Sequence, residues 1–237
     1  MLYEGRIVVV TGAREGVGRM VAGHFLNEGA RVIGLSRGES SIDHSNYTHM
    51  PTNIGRNDQV RATFGAIGKQ HGKVDYLVNC AAVASSTYAL IMPVAGAEEM
   101  VATNILGLLY VSREAAKLMR RDGGRIVNIG SIHSQIAPVG ASMYASTKAA
   151  QETMVRVLSK ELAQLGKITV NTLALSPIET SMLRQSGTPA VIQAVIDGLT
   201  IPRLAEPDDV MAGLDFFCSQ RSSFYTGQTI YLGGVHE

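Results

Sequence analysis

Tryptophan is absent, and Phe and Tyr together supply only 5% of the 237 residues. Any core must therefore rest on aliphatic side chains. At 46% hydrophobic residues the chain has enough of them for one large domain spanning residues 1–237. Cysteine is scarce as well. Cys80 and Cys218 lie far apart, each in an apolar stretch, which argues against a secreted disulfide framework and predicts reduced, buried thiols.

Charge of either sign is not in excess. The 21 basic and 20 acidic residues leave a formal net charge of +1, so nothing global favours a nucleic acid or an anionic membrane as partner. No apolar run approaches the roughly 20 residues of a membrane span. The opening Met1–Arg6 lacks the charged head, long apolar stretch and cleavage site of a secretion signal. The histidines, His44 and His49 among them, show no metal-ligand spacing. These absences predict a soluble cytoplasmic protein with no metal, no membrane and no nucleic-acid partner.

What is present is alternation. Short β-branched runs predict strands over 7–10, 31–35, 47–50, 74–79, 125–129, 168–173 and 229–232, the third being the weakest. Helical patterns occupy 16–27, 58–70, 97–120 and 142–165. Strands that are apolar throughout suit a sheet buried on both faces. Strands alternating with helices suit parallel pairing. The expected fold is α/β: a Rossmann-type, doubly wound, parallel seven-stranded sheet in a three-layer α/β/α domain. Such sheets bind ligands beyond the carboxyl ends of their strands. The irregular stretch 176–202, with Pro177, Gly187, Pro189 and Pro202, leaves the sixth strand at that edge and is a candidate substrate lid.

The first strand runs into Thr11-Gly12-Ala13-Arg14-Glu15-Gly16-Val17-Gly18. Gly12 permits a tight turn, Gly16 a close approach of backbone to a pyrophosphate, and Gly18 close helix–strand packing. The following helix N-terminus offers free N–H groups to phosphates. The spacing G-x-x-x-G-x-G departs from the usual G-x-G-x-x-G, and a glycine turn alone also suits an ordinary strand–turn–helix connection.

Tyr144 and Lys148 stand four apart on a predicted helix and so share a face. An ammonium near a phenol stabilises the phenolate and lowers its pKa. The tyrosine can then exchange a proton with a substrate oxygen near neutral pH. Ser131 ends the fifth strand just before this helix. Asn104 interrupts the preceding long helix, where an amide suits neither packing nor helix propensity. A polar cluster at the carboxyl end of the sheet, beside a phosphate loop, is hard to assign to packing.

On these residues the chain resembles the short-chain dehydrogenase/reductase family over essentially its whole length. Thr11-Gly12-x-x-x-Gly16-x-Gly18 is similar to the family's cofactor loop, and Asn104, Ser131, Tyr144 and Lys148 to its catalytic tetrad. Within the family it looks most like the 3-oxoacyl-carrier-protein reductases, whose ending resembles Gly227–Tyr231. The resemblance implies that Tyr144 is the general acid in reduction and the base in oxidation. It implies that Lys148 binds the nicotinamide ribose and lowers the tyrosine pKa, that Ser131 orients the carbonyl oxygen, and that Asn104 holds a water relaying protons to Lys148. It further implies cofactor contacts at Asn53 and Ile54, at Asn79 and Ala81, and at Ile178 and Thr180. Cys80 and Ala82 depart from the family's Asn-Asn-Ala-Gly, and Leu175-Ser176 from its Pro-Gly. Ala82 is expected to restrict the backbone where Gly is usual.

The second strand ends Ser36-Arg37-Gly38 with no acid to hold a ribose 2′-hydroxyl, and Arg37 suits a 2′-phosphate. Arg14 adds a second cation, whereas Glu15 opposes a phosphate. NADP is thus expected, with NAD as the alternative. His133, two residues past Ser131, is a candidate substrate contact. The expected activity is NADP-dependent reduction of a 3-oxoacyl thioester or related ketone. The alternatives are a dehydrogenase of a sugar, polyol or hydroxy acid, and a dinucleotide-binding sensor or scaffold with weak catalysis. The resemblance also implies a homo-oligomer, a tetramer, with Ala115, Ala116, Ala149 and Ala150 allowing its long helices to pack closely.

Overall fold

The apolar run Ile7–Val10 continues through Thr11 as β1 (Ile7–Thr11), with every residue buried. Neither face of this strand meets water, so it must lie mid-sheet. The structure, a computed structural model, describes residues 1–185 and 188–235. It contains β2 (Arg31–Ser36), β3 (Tyr47–Pro51), β4 (Tyr76–Asn79), β5 (Gly124–Ser131), β6 (Ile168–Leu175) and β7 (Thr229–Tyr231). All seven form one sheet in the order β3-β2-β1-β4-β5-β6-β7. Every pairing is parallel, with Thr11 opposite Leu35 on one side and Asn79 on the other. The strand order reverses between β1 and β4. That reversal opens the crevice where ligands of doubly wound sheets bind.

Helices cover both faces. Val8 and Val10 of β1 join Phe25, Leu214 and Phe217, carried by α1 (Gly16–Asn27) and α9 (Pro207–Cys218). Ile7 and Val9 point the other way, to Phe64 of α2 (Asn57–His71), Val111 of α4 (Leu108–Met119) and Val155 of α6 (Ser142–Gly166). Period-two alternation thus feeds two cores. Fully burying a side chain such as Phe25 or Val111 contributes about 1.5–3 kcal/mol.

The helix predicted over 97–120 differs in form. It opens as α3 (Val94–Met100), loosens into a π segment (Val101–Gly107) and resumes as α4. By length and composition alone the continuous helix Val94–Met119 could cross a membrane. However, Met100, Asn104, Val111, Ala115 and Met119 are buried inside the protein. The same burial corrects one expectation: Ala115 and Ala116 are enclosed within the core of the subunit and present no surface to another copy. Ala149 is exposed.

Among the described residues four elements went unread in the sequence: the short α5 (His133–Ile136), the 3-10 turns Ala89–Ile91 and Gln220–Ser222, and α9. α9 had a legible start in Glu206-Pro207-Asp208-Asp209. Proline is favoured at the first helical position, and the Glu206 N–H donates to Asp209 Oδ2 at 2.8 Å. The stretch 176–202 does hold short helices, α7 (Ser181–Gln185) and α8 (Pro189–Asp197). Gly187 lies outside the described residues. Cys218 is buried and Cys80 half-buried, both as free thiols.

Candidate active site

The glycine loop links the carboxyl end of β1 to α1. Gly12 adopts φ 69°, and a Cβ there would stand 2.9 Å from the Ala81 backbone. Ala81 is held in place, since its N–H donates to Thr11 Oγ1 at 3.1 Å. A Cβ on Gly18 would collide with the Gly12 carbonyl oxygen. Gly16 is different. At φ 54° its Cβ would project into space where, among the described residues, Thr180 Cγ2 at 3.8 Å is the one atom within 4 Å. α1 begins without a side-chain cap on its N–H groups. A narrow gap with uncapped donors on one wall and Thr180 on the other fits an anionic dinucleotide backbone. Ile178, by contrast, is buried and bridges to Ala205.

Further from the loop, Ser36 Oγ donates to the Gly38 carbonyl at 3.1 Å. Arg37, expected to meet a ribose phosphate, is instead paired with Glu99 at 2.6 Å. The guanidinium of Arg14 reaches over Gly38. Arg14, Glu15, Glu39, Ser40 and Ser41 line an open cleft of about 570 Å³ at this edge. Asn53 Oδ1 accepts from the Gly55 N–H at 3.0 Å, while the Ile54 side chain is buried against Gly107. Any contact that Ile54 makes with a cofactor must therefore come from its backbone. Val17 packs on the core beneath the loop, and Asn79 is buried with its Nδ2 3.4 Å from Ser112 Oγ. The Ala82 backbone avoids positive φ, so the exchange for Gly brings no strain there.

The four tetrad residues converge where β5 and β4 end. Asn104 sits in the π segment, fully enclosed. Its Oδ1 accepts from the Val83 N–H at 2.8 Å, and its Nδ2 donates to the Val83 carbonyl at 2.9 Å and to Thr147 Oγ1 at 3.0 Å. Its own backbone carbonyl accepts from Gln151 Nε2 at 2.7 Å. Asn104 therefore clamps the chain after β4 to α6.

Lys148 is buried, and its Nζ donates to the Ile129 carbonyl at 2.9 Å. Burial disfavours the ammonium and pulls its pKa down to about 8. The Nζ stands 5.7 Å from the Tyr144 ring centre. Burial raises the Tyr144 phenol above its ordinary value, and a hydrogen bond from Ser131 partly opposes this. Lys148, expected to lower the phenol, is not among the groups that shift it in this arrangement.

His133 was read as a substrate contact. Its Nδ1 lies 3.1 Å from Ser131 Oγ, and its backbone N–H donates to the same oxygen at 3.2 Å. Its ring meets Tyr144 edge-on, with centroids 5.5 Å apart. Burial, then the charge of Lys148, lowers its pKa and keeps the imidazole neutral. Ser131 thus sits between His133 and Tyr144.

Thr147, Gln151 and Glu152 were overlooked in the sequence, although all three are buried on α6. A signal was available. With Lys148 they place four polar side chains on the stripe that Val155, Leu158 and Leu162 continue as core.

Comparison with known proteins agrees with this fold. The family model described as enoyl-(acyl carrier protein) reductase matches residues 12–236. A 3-oxoacyl-[acyl-carrier-protein] reductase of Vibrio cholerae is 29% identical, over 99% of this chain and 98% of its own length. An NADPH-dependent aldehyde reductase-like chloroplastic protein of Arabidopsis thaliana is 30% identical, over 97% of this chain and 93% of its own. Among solved structures, a ligand-free aldohexose dehydrogenase of Thermoplasma acidophilum superposes with a TM-score of 0.89 at 29% identity, covering 98% of this chain and 94% of that one.

Proposed function

The chain belongs to the short-chain dehydrogenase/reductase family, and on that premise we propose that it reduces a ketone with NADPH, a 3-oxoacyl thioester being the substrate class it suits best. It is an oxidoreductase acting between CH–OH and C=O. The bound nicotinamide supplies or accepts the hydride. The residues of this chain handle position and protons. Ser131 receives the backbone N–H of His133 at 3.2 Å and turns its one hydroxyl proton, shared with Tyr144 here, to the carbonyl oxygen when substrate binds. Tyr144, held protonated by burial, is the proton donor to that oxygen in reduction. Lys148, with its pKa near 8, is placed to contact the nicotinamide ribose and to restore the phenol proton. Asn104 keeps Val83 and Thr147 in register around them.

The observation that carries this reading is the convergence of buried Ser131 and Lys148 and half-buried Tyr144 with a glycine cradle at the strand-order reversal. An apolar rim supports an acyl substrate. Tyr88, Leu90, Ile91 and Val139 are exposed, and the Thr87 N–H donates to the Gly140 carbonyl at 2.8 Å, joining the two segments. The stretch 176–202 is the proposed lid. His133 favours a second reading, a sugar, polyol or hydroxy-acid dehydrogenase, because its neutral ring could bond a polar substituent.

For the cofactor phosphate, Arg14 is the better-placed cation, since Arg37 is engaged by Glu99. Nicotinamide fluorescence titrations test this. NADPH should bind at least about tenfold tighter than NADH, about 1.4 kcal/mol. Arg14→Ala should erase that preference while Arg37→Ala retains it. Tighter NADH binding would refute the assignment. Turnover of an acetoacetyl thioester against a panel of aldoses and polyols separates the two substrate readings.

A further inference from the structure

Glu152 is a buried carboxylate that the chemistry above does not use. It follows Lys148 by four residues on α6, so the two side chains lie on one face a turn apart. Its contacts are neutral donors. Oε1 accepts from Ser134 Oγ at 2.5 Å, and Oε2 accepts from Tyr231 Oη at 2.8 Å and Gln135 Nε2 at 3.5 Å. Taking a carboxylate out of water is costly, and neutral hydrogen bonds return only part of that cost. Ser134 Oγ also stands 2.9 Å from the Ser131 carbonyl oxygen. The carboxylate therefore grips, through one hydroxyl, the turn that carries Ser131 and His133.

The titratable and charged groups facing Lys148 come from three elements. Cys80 approaches from the end of β4, His133 from α5, and Tyr144 and Glu152 from α6 itself. Burial pushes the Cys80 thiol up to about 12 and raises the Tyr144 phenol, so both are neutral near pH 7. Burial and Lys148 hold His133 neutral by lowering its pKa. Cys80 first and Glu152 second act to raise the lysine pKa; with the thiol protonated near pH 7, Glu152, one turn away on the same helix face, is the carboxylate set against the buried ammonium.

We propose that Glu152 is a positioning residue for the tetrad: its carboxylate is the counter-charge that keeps the proton on Lys148 and ties the Ser131–His133 turn to α6 and β7. The inference rests on the reading of Tyr144 and Lys148 as the proton-transfer pair. It explains why a polar stripe replaces aliphatic core on this face of α6. It also gives Tyr231, distant in sequence, a place in the site as a donor to that carboxylate.

The test reads the lysine directly. The protein is labelled with carbon-13 at lysine Cε, and the Lys148 signal is identified by its loss in Lys148→Arg. It is then followed by NMR from about pH 6 to pH 11, spanning the ordinary lysine range. Glu152→Gln keeps the shape and the oxygen that accepts from Ser134 or Tyr231, and should lower the Lys148 midpoint by about one unit, the lower end of what a close opposite charge produces. Glu152→Asp should restore most of the shift, and Tyr231→Phe should leave the midpoint near wild type. An unmoved midpoint in folded Glu152→Gln overturns the inference. Glu152→Met provides the same reading if the Gln variant does not fold, and failure of both to fold assigns the carboxylate to stability alone and also overturns it. NADPH binding to the wild type, followed by fluorescence in the same buffers, stands apart. A shifted lysine without cofactor binding would sink the proposed reaction and leave the counter-charge standing.

Discussion

Two glycines of the loop should separate folding from binding. At Gly12 an Ala would have to adopt φ 69° and place its Cβ 2.9 Å from both N and Cα of Ala81. Those are backbone atoms, and the Thr11 hydroxyl fixes them. The left-handed conformation costs an L-residue roughly 1–2 kcal/mol, and accommodating an overpacked contact costs roughly 1–3 kcal/mol more. Gly12→Ala should therefore lose about 3 kcal/mol, which for a domain of this size is a fall in Tm of about 6–12 °C. At Gly16 the φ is 54°, and the nearest atom to a new Cβ is Thr180 Cγ2 at 3.8 Å. Only the conformational cost applies, about 1 kcal/mol and about 2–4 °C. That same Cβ would stand in the gap proposed for the pyrophosphate. Gly16→Ala should weaken NADPH binding at least about tenfold, or about 1.4 kcal/mol, while melting close to wild type. Scanning calorimetry and nicotinamide fluorescence read the two effects separately. Equal losses of Tm in the two variants, or wild-type binding by Gly16→Ala, would refute this account of the loop.

Other perturbations act on single groups. Tyr144→Phe should lower kcat by about 10²–10⁴-fold, the usual worth of a general acid, with Tm little changed; unchanged turnover would dismiss the proton-donor role. Lys148→Met should melt higher than wild type near pH 7 while losing turnover, because the folded protein holds an ammonium that burial disfavours. As its pKa falls from 10.5 to about 8 on folding, wild-type stability should rise with pH through that window, and the rise should vanish in the Met variant. His24 Nε2 lies 2.8 Å from Asp215, which raises the His24 pKa and joins α1 to α9. A raised pKa stabilises fully below the unfolded value of 6.5 and loses that effect as pH rises through the folded value. Melts of His24→Gln should thus fall furthest below wild type below pH 6.5 and converge as the pH rises through the folded value; a constant gap would mean that the ion pair contributes nothing.

Much of this molecule was legible along the chain. The central strands and the helix after the glycine loop follow from local periodicity, because a strand buried on both faces, as β1 is, is apolar along nearly its whole length. The Tyr144–Lys148 pair was readable for the same reason, since four residues make one helical turn. Boundaries shifted where partners decided them: β6 extends to Leu175 because it pairs with β5 residue for residue to that point.

Only the tertiary structure settled contacts between segments remote in sequence. Asn104 was visible as an oddity within a helix, but its clamp on Val83 required the π segment to aim it. Arg37 reads as a free cation along the chain, and only the fold brings Glu99, 62 residues later, to it. Glu152 looks like a solvated helix charge until β7, 79 residues later, brings Tyr231 to it. Backbone geometry imposes its periods on neighbouring residues and can be read locally. A buried polar group takes its partners from whatever the fold places beside it, so the loop glycines and the Tyr–Lys spacing belong to the sequence, and the burial, charge and hydrogen bonding that make a site of them belong to the fold.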